Sequence, residues 1–254
     1  YEVIRGPAGV LYANSSVGGV ILKATKKPLP YTRQTFSFSV NDWGLYRGEF
    51  DLTGPLAEVG DAKLSYRLVG AHQDGDVYFR NVADRHTAIH PTLQLDLGKT
   101  TIRAAFDFQD LRQVSHGQSI IQPDGRLYTG AGRDEANYPR NAMERQIRRQ
   151  VRFTMLHRIS NNWEARLFAT HLDYRRRASV LLNNSVDFAN ATFTVNARRN
   201  HVQFDHWIVN QDFLGNFRIA GLDHQSAFGF ALTDEVNRAA NTVDSEFGTR
   251  TLSL

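Results

Sequence analysis

From Arg33 onward, apolar and polar residues alternate one for one through segment after segment, and this constrains the fold more than any other feature of the chain. A strand side chain changes face at every residue, so each such run presents one apolar face and one polar face. Phe36, Phe38 and Val40 alternate with Ser37, Ser39 and Asn41; Tyr46, Gly48, Phe50 and Leu52 alternate with Arg47, Glu49, Asp51 and Thr53. The same pattern returns through Leu64–Leu68, Ile89–Leu97, Ile102–Phe108, Val151–Met155 and Phe228–Leu232, with looser phase over Trp163–Leu182 and Ala191–Phe213. The alternation predicts about nine strands, each near the nine to eleven residues that a tilted membrane strand needs. No apolar run reaches the roughly twenty residues of a membrane helix. The mean hydropathy of −0.42 is low for a packed α/β enzyme. It suits a barrel whose strands turn half their residues to a polar lumen.

A soluble β-sandwich would alternate in the same way, and the connections separate the two. At one end they are short: Leu56 to Ala62, Gly98-Lys99-Thr100, Asn161-Asn162 and the Gly215 to Gly221 region. At the other end stand Gly75 to Arg85 and the long polar stretch Gln113 to Arg148, with Asp42 to Leu45 as a tight exception. Short turns on one side and long loops on the other are the signature of outer-membrane barrels. Aromatic residues near predicted strand ends (Tyr46, Tyr78, Phe79, Trp163, Tyr174) fit an interfacial girdle.

The first twenty-eight residues differ from the rest. Two apolar runs, Val3-Ile4 and Val20-Ile21-Leu22, flank turn material at Gly6-Pro7, Asn14-Ser15-Ser16 and Gly18-Gly19. The stretch has no initiator Met, charged n-region or apolar h-region, so it carries no targeting signal and reads as the interior of a longer protein. The string Glu2-Val3-Ile4-Arg5-Gly6-Pro7, Val10-Leu11-Tyr12, Ser15-Ser16, Gly18-Gly19-Val20-Ile21 and Thr25-Lys26-Lys27-Pro28 resembles the end of the plug domain of TonB-dependent outer-membrane receptors, the ferric-siderophore branch in particular.

The resemblance implies an all-β antiparallel transmembrane β-barrel, here partial, preceded by the end of a small α+β plug domain. Residues 1–29 would be the C-terminal part of the plug and residues 30–254 the N-terminal part of the barrel. Pro28-Leu29-Pro30 would mark the crossing, because closely spaced prolines break strand pairing. The implied function is active import of ferric siderophores across the outer membrane of a Gram-negative bacterium. Energy would come from TonB with ExbB and ExbD through an upstream segment. Outer-membrane lipid and lipopolysaccharide would surround a monomer. The iron stays inside its chelator, so neither a cofactor nor a protein metal site is expected. Cobalamin, haem or an oligosaccharide as cargo, a signalling receptor, a passive porin and a soluble β-domain are the alternatives.

By the same resemblance Arg5, with Glu2 nearby, belongs to a charge cluster coupling plug to barrel. Gly6, Pro7, Gly18 and Gly19 supply plug turns where side chains would obstruct. Ligand contact is expected in the long loop, at His116, Gln118 and Ser119 just before the Pro123-Asp124-Gly125 turn, or else at Tyr128 and Tyr138. Ferrichrome-type relatives carry aromatic residues where this loop has His116, Gln118 and Ser119, which places hydroxamate specificity in doubt.

Catalysis is not expected. His86 and His90 sit four apart on a strand, about 13 Å from each other, too far to share an ion directly. His201 and His206, five apart, point oppositely. There is no Gly-x-Ser-x-Gly elbow and no Gly-x-x-x-x-Gly-Lys loop. With no cysteine, disulfides and thiolate chemistry are excluded. The net charge of +4 comes from clusters such as Arg175-Arg176-Arg177 and Arg198-Arg199, which lie within strand pattern and do not form a nucleic-acid patch.

Overall fold

The computed structural model describes residues 2–5, 19–22, 25–78, 82–114, 122, 124–126, 143–190, 192–243 and 249–253. Two short strands, β1 (Glu2–Arg5) and β2 (Gly19–Leu22), form an antiparallel pair with Glu2 opposite Leu22 and Arg5 opposite Gly19. Residues 25–32 carry no strand. The wall follows: β3 (Arg33–Val40), β4 (Tyr46–Val59), β5 (Ala62–Asp76), β6 (Ala83–Leu97), β7 (Thr100–Val114), β8 (Met143–Arg158), β9 (Trp163–Asp187), β10 (Thr192–Ile219) and β11 (Leu222–Val243). Each of these nine strands pairs with its sequence neighbour, and a short β12 (Thr249–Ser253) pairs with the far end of β10. This is the antiparallel meander that the alternation predicts.

The strands are longer than expected: β4 to β8 run 14 to 16 residues, and β9, β10 and β11 reach 25, 28 and 22. Apolar alternation reveals only the part of a strand that faces hydrocarbon. Past it the ladder continues while the outward residues turn polar, as at Asp173 and Asp205, which is why the phase of β9 and β10 blurs in the sequence. The hairpin of β9 and β10 rises past the other strands and closes on a tight turn in which Asp187 Oδ1 accepts from the Ala189 and Asn190 amides at 3.0 and 3.2 Å.

Opposite residues in the registers share a face, so the two sides of the wall can be followed from strand to strand. The outward side carries Phe36, Phe38, Phe50, Leu93, Phe106, Val151, Phe228, Phe230 and Leu232, and a series of these is more than half exposed. Such a band is what the lipid-facing side of a membrane barrel presents. Two glycines lie beneath aromatic rings of this band. Phe50 covers Gly70 and Trp163 covers Gly215, each the direct cross-strand partner, and a Cβ on either glycine would collide with the ring. Trp163 also stacks with Phe217 at 6.4 Å and meets Phe228 edge-on at 6.1 Å, so aromatics gather at the short-turn end as a girdle does.

Two prolines interrupt the ladders. Register shifts between Pro55 and Ala57, a bulge that accommodates the missing N–H. The β6–β7 pairing runs to Ile89–Phe108 and resumes at Thr92–Ala105, leaving Pro91 outside it.

Candidate functional site

The inward side is polar, and side chains there strap strand to strand. Arg47 donates to Glu49 and to Gln73 (2.6 Å), and Gln73 donates to Asp84 (2.8 Å). Arg103 binds Gln94 through two nitrogens, at 3.0 and 2.6 Å. Where Pro91 breaks the ladder, side chains replace it: His90 pairs with Asp107, and Asp107 with Arg152 at 2.7 Å, joining β6, β7 and β8. Buried polar groups need such partners, and the alternation supplies them at every second residue.

The densest contact on this face holds the segment that precedes the wall. Arg67 donates from Nε and Nη2 to both oxygens of Asp51, at 2.8 and 2.7 Å, and from Nη1 to the Lys27 carbonyl at 2.8 Å. Lys26 reaches the same carboxylate at 2.7 Å. The Leu29 amide donates to Thr53 Oγ1 at 2.9 Å, and that hydroxyl donates to the Tyr66 carbonyl at 2.8 Å. Thr53 is 1% exposed and Arg67 8%, and Pro28 is buried beside them. The fork of an arginine suits this arrangement, because one guanidinium serves a carboxylate and a carbonyl at once.

Farther from the short turns, the inward faces of β8, β9 and β10 bring together a cationic and aromatic patch. Arg148, Tyr174 and Phe204 lie in one cross-strand row. Phe204 meets the His206 ring edge-on at 5.4 Å. One position beyond that row on the same face, Arg176 donates to both oxygens of Glu144 at 2.9 and 2.7 Å. This fork holds the Glu144 carboxyl below the usual carboxylate range. His206 Nε2, Asn210 Oδ1 and Arg148 Nε are buried with no hydrogen-bond partner among the described residues. A flat, partly anionic ligand would find ring faces and guanidinium groups on this patch.

Of the residues singled out in the sequence, Glu2 and Arg5 lie on β1 and Gly19 on β2, opposite Arg5. Gly6, Pro7, Gly18, His116, Gln118, Ser119, Tyr128 and Tyr138 lie outside the described residues. Of the expected Pro123-Asp124-Gly125 turn, Pro123 lies outside the described residues; beside it the Gln122 amide donates to the Arg126 carbonyl at 2.8 Å, and Gly125 takes φ 81°. His86 and His90 share the inward face of β6, while His201 faces outward and His206 inward. Tyr174, grouped in the sequence with an interfacial girdle, instead faces inward within β9, because its parity is that of Arg148 and Phe204 opposite it. The clamp of Asp51, Thr53 and Arg67 was not singled out in the sequence, where it read only as the polar half of an alternation. Strand parity alone does mark their shared face.

No family model matches the chain. Among characterised proteins it is 26% identical to the metal-pseudopaline receptor of Pseudomonas aeruginosa over 233 residues, 90% of this chain and 32% of that receptor. It is 27% identical to the ferripyoverdine receptor of Pseudomonas aeruginosa over 177 residues, 67% of this chain and 21% of the relative. To the ferrioxamine B receptor of Salmonella typhimurium it is 25% identical over 173 residues, 65% of this chain and 24% of the relative. In three dimensions it matches the ferripyoverdine-bound outer-membrane receptor of Pseudomonas aeruginosa with a TM-score of 0.84, at 20% identity, over 98% of this chain and 34% of that one. The ferric preacinetobactin receptor of Acinetobacter baumannii matches with a TM-score of 0.81, at 13% identity, over 94% of this chain and 36% of that one. The relatives are thus TonB-dependent siderophore receptors of the outer membrane, as the first twenty-eight residues led us to expect, and the sheet shares the fold of a stretch of their barrels. The chain spans about a third of the length of the first relatives it matches.

Proposed function

We propose that the protein containing this chain imports ferric siderophores through the outer membrane, as a receptor and transporter energised by TonB with ExbB and ExbD. Residues 1–29 are then the end of the plug and residues 30–254 the first part of the barrel. The observation that carries this reading is the fastening of Lys26–Leu29 to the inward wall by Asp51, Thr53 and Arg67. A plugged receptor requires a segment tied inside its lumen. Names borne by the relatives support the cargo class: ferripyoverdine, ferrioxamine B and metal-pseudopaline. The last of these favours a second reading, in which the chelated metal is not iron.

In this account the ligand sits above the plug, against the patch of Arg148, Tyr174, Arg176, Phe204 and His206. His116, Gln118, Ser119, Tyr128 and Tyr138 of the long loop are the further ligand contacts in this proposal. Arg5, with Glu2, couples plug to wall. Metal arrives and leaves inside its chelator, so the protein supplies donors to the chelator and none to the ion, and no chemistry is catalysed. Bound ligand must favour one plug conformation for TonB to act on it. Lipid and lipopolysaccharide meet the outward side, where Arg85, Arg112, Arg145 and Arg177 stand directly opposite one another on four adjacent strands. Like charges opposed across strands repel, and a phosphorylated glycolipid would relieve that repulsion beyond what Asp74 and Asp110 already do.

Binding of ferric pyoverdine, ferrioxamine B, ferrichrome and metal-pseudopaline to the purified full-length receptor, followed by tryptophan fluorescence, tests the assignment. Tyr174→Ala and Arg176→Gln should each weaken the chelate that binds by about tenfold or more, the loss expected for one stacking or charge-assisted contact. Unchanged affinity in both variants would move the site off this patch.

A further inference from the structure

The clamp on Lys26–Leu29 has a property that simple attachment does not require: its bonds fall on three residues within a stretch of four and come from two different strands. Asp51 and Thr53 project inward from β4, and Arg67 projects inward from β5 opposite Thr53. Lys26 is held through its side chain, Lys27 through its carbonyl and Leu29 through its amide. Immediately afterwards the chain reverses, and Arg33, the first residue of β3, pairs with the same Thr53. Tension on the chain upstream of Thr25 therefore meets three hydrogen bonds to β4 and β5, themselves braced by the two Arg67–Asp51 bonds between those strands, before it reaches the first ladder bond of β3. The Asp51–Arg67 pair is largely buried, with side chains 17% and 10% exposed. A pair taken out of water adds little net stability but fixes one geometry, since a misplaced charge has no water to fall back on.

We propose that Asp51, Thr53 and Arg67 are positioning residues that form a stop on the barrel wall: a pull on the plug ends at Lys26 and is not passed into β3. This rests on the reading of residues 1–29 as the end of a plug on which TonB acts. It assigns to the wall side of the junction a role that the coupling residues on the plug do not cover. An energised plug can then rearrange repeatedly while β3, which must stay paired for the barrel to remain closed, bears no load.

The test uses the full-length receptor in outer membranes, with Leu29→Cys as the single reporter thiol, and follows its labelling by a maleimide. In otherwise wild-type protein labelling should be slow, with and without active TonB. Asp51→Ala and Arg67→Ala should raise the rate about tenfold or more, since each removes charge-assisted bonds that hold this segment shut, and Thr53→Val should raise it less. The increase should be larger when TonB is active. Heat-modifiable migration in gels reports independently that the barrel is folded. Should either alanine variant fail to assemble, Lys26→Ala, which removes one bond from an exposed side chain, should still raise labelling several-fold in an intact barrel. Labelling at the parental rate in folded variants would overturn the stop. Parallel uptake of a ferric siderophore by the parent separates the two ideas: absent uptake with clamp-dependent labelling would refute transport and leave the clamp standing as an attachment only.

Discussion

Ala220 takes φ 53° and Gly221 φ 80°, the two left-handed positions of a type I′ turn that joins β10 to β11 with Ile219 opposite Leu222. Glycine meets that requirement freely, whereas alanine in the left-handed region costs about 1 kcal/mol. Ala220→Asn should therefore raise the stability of the folded barrel by about 0.5–1 kcal/mol in denaturant unfolding from detergent. A second residue-scale effect concerns Glu144. Its carboxyl is held low chiefly by the Arg176 fork, and it is the second residue of β8, at the long-loop end of that strand. A depressed folded pKa means that the tie is present above the unfolded value of about 4.3 and is lost as pH falls through the folded one. A spin label at Ser179, an exposed position nearby on β9, should gain mobility on acidification below that range. In Arg176→Gln it should be mobile already at neutral pH.

The wall strands were legible because one period governs them all, and nine strands in meander order is what the alternation predicts. Their lengths were not, since the residues that extend β9 and β10 past the lipid look outwardly like loop: Asp173, Arg175 and Arg177 on one strand, Asp205 and Gln203 on the other. Nor was the clamp, because its partners are 24 and 40 residues apart in sequence for Leu29–Thr53 and Lys27–Arg67, and nothing local distinguishes Arg67 from the other inward arginines. The face assignment of each strand gives a sharp test. Ala104 lies on the outward face near the centre of β7, and Ala88 on the inward face of β6, opposite Ala71 and Gln109. Ala104→Arg should cost about 2–4 kcal/mol of barrel stability, while Ala88→Arg should cost much less. Equal costs would mean that the inner and outer faces are misassigned.

At the scale of the whole molecule, a barrel wall with an apolar outside and a strapped polar inside encloses a segment tied to that wall. These features support the proposal of a plugged receptor, and the names of the siderophore-receptor relatives support the proposed cargo. The paired strands cannot stand alone in lipid, where an unpaired edge finds no hydrogen-bond partner, so the function belongs to the closed barrel. Uptake of radio-iron by iron-starved cells tests this most directly. Cells with and without the gene, and with and without TonB, would be given ferric pyoverdine, ferrioxamine B and ferrichrome in turn. The account predicts uptake of at least one chelate only when both the gene and TonB are present. Equal uptake of every chelate in cells lacking the gene, with the receptor shown to be folded in the outer membrane of its parent, would contradict it.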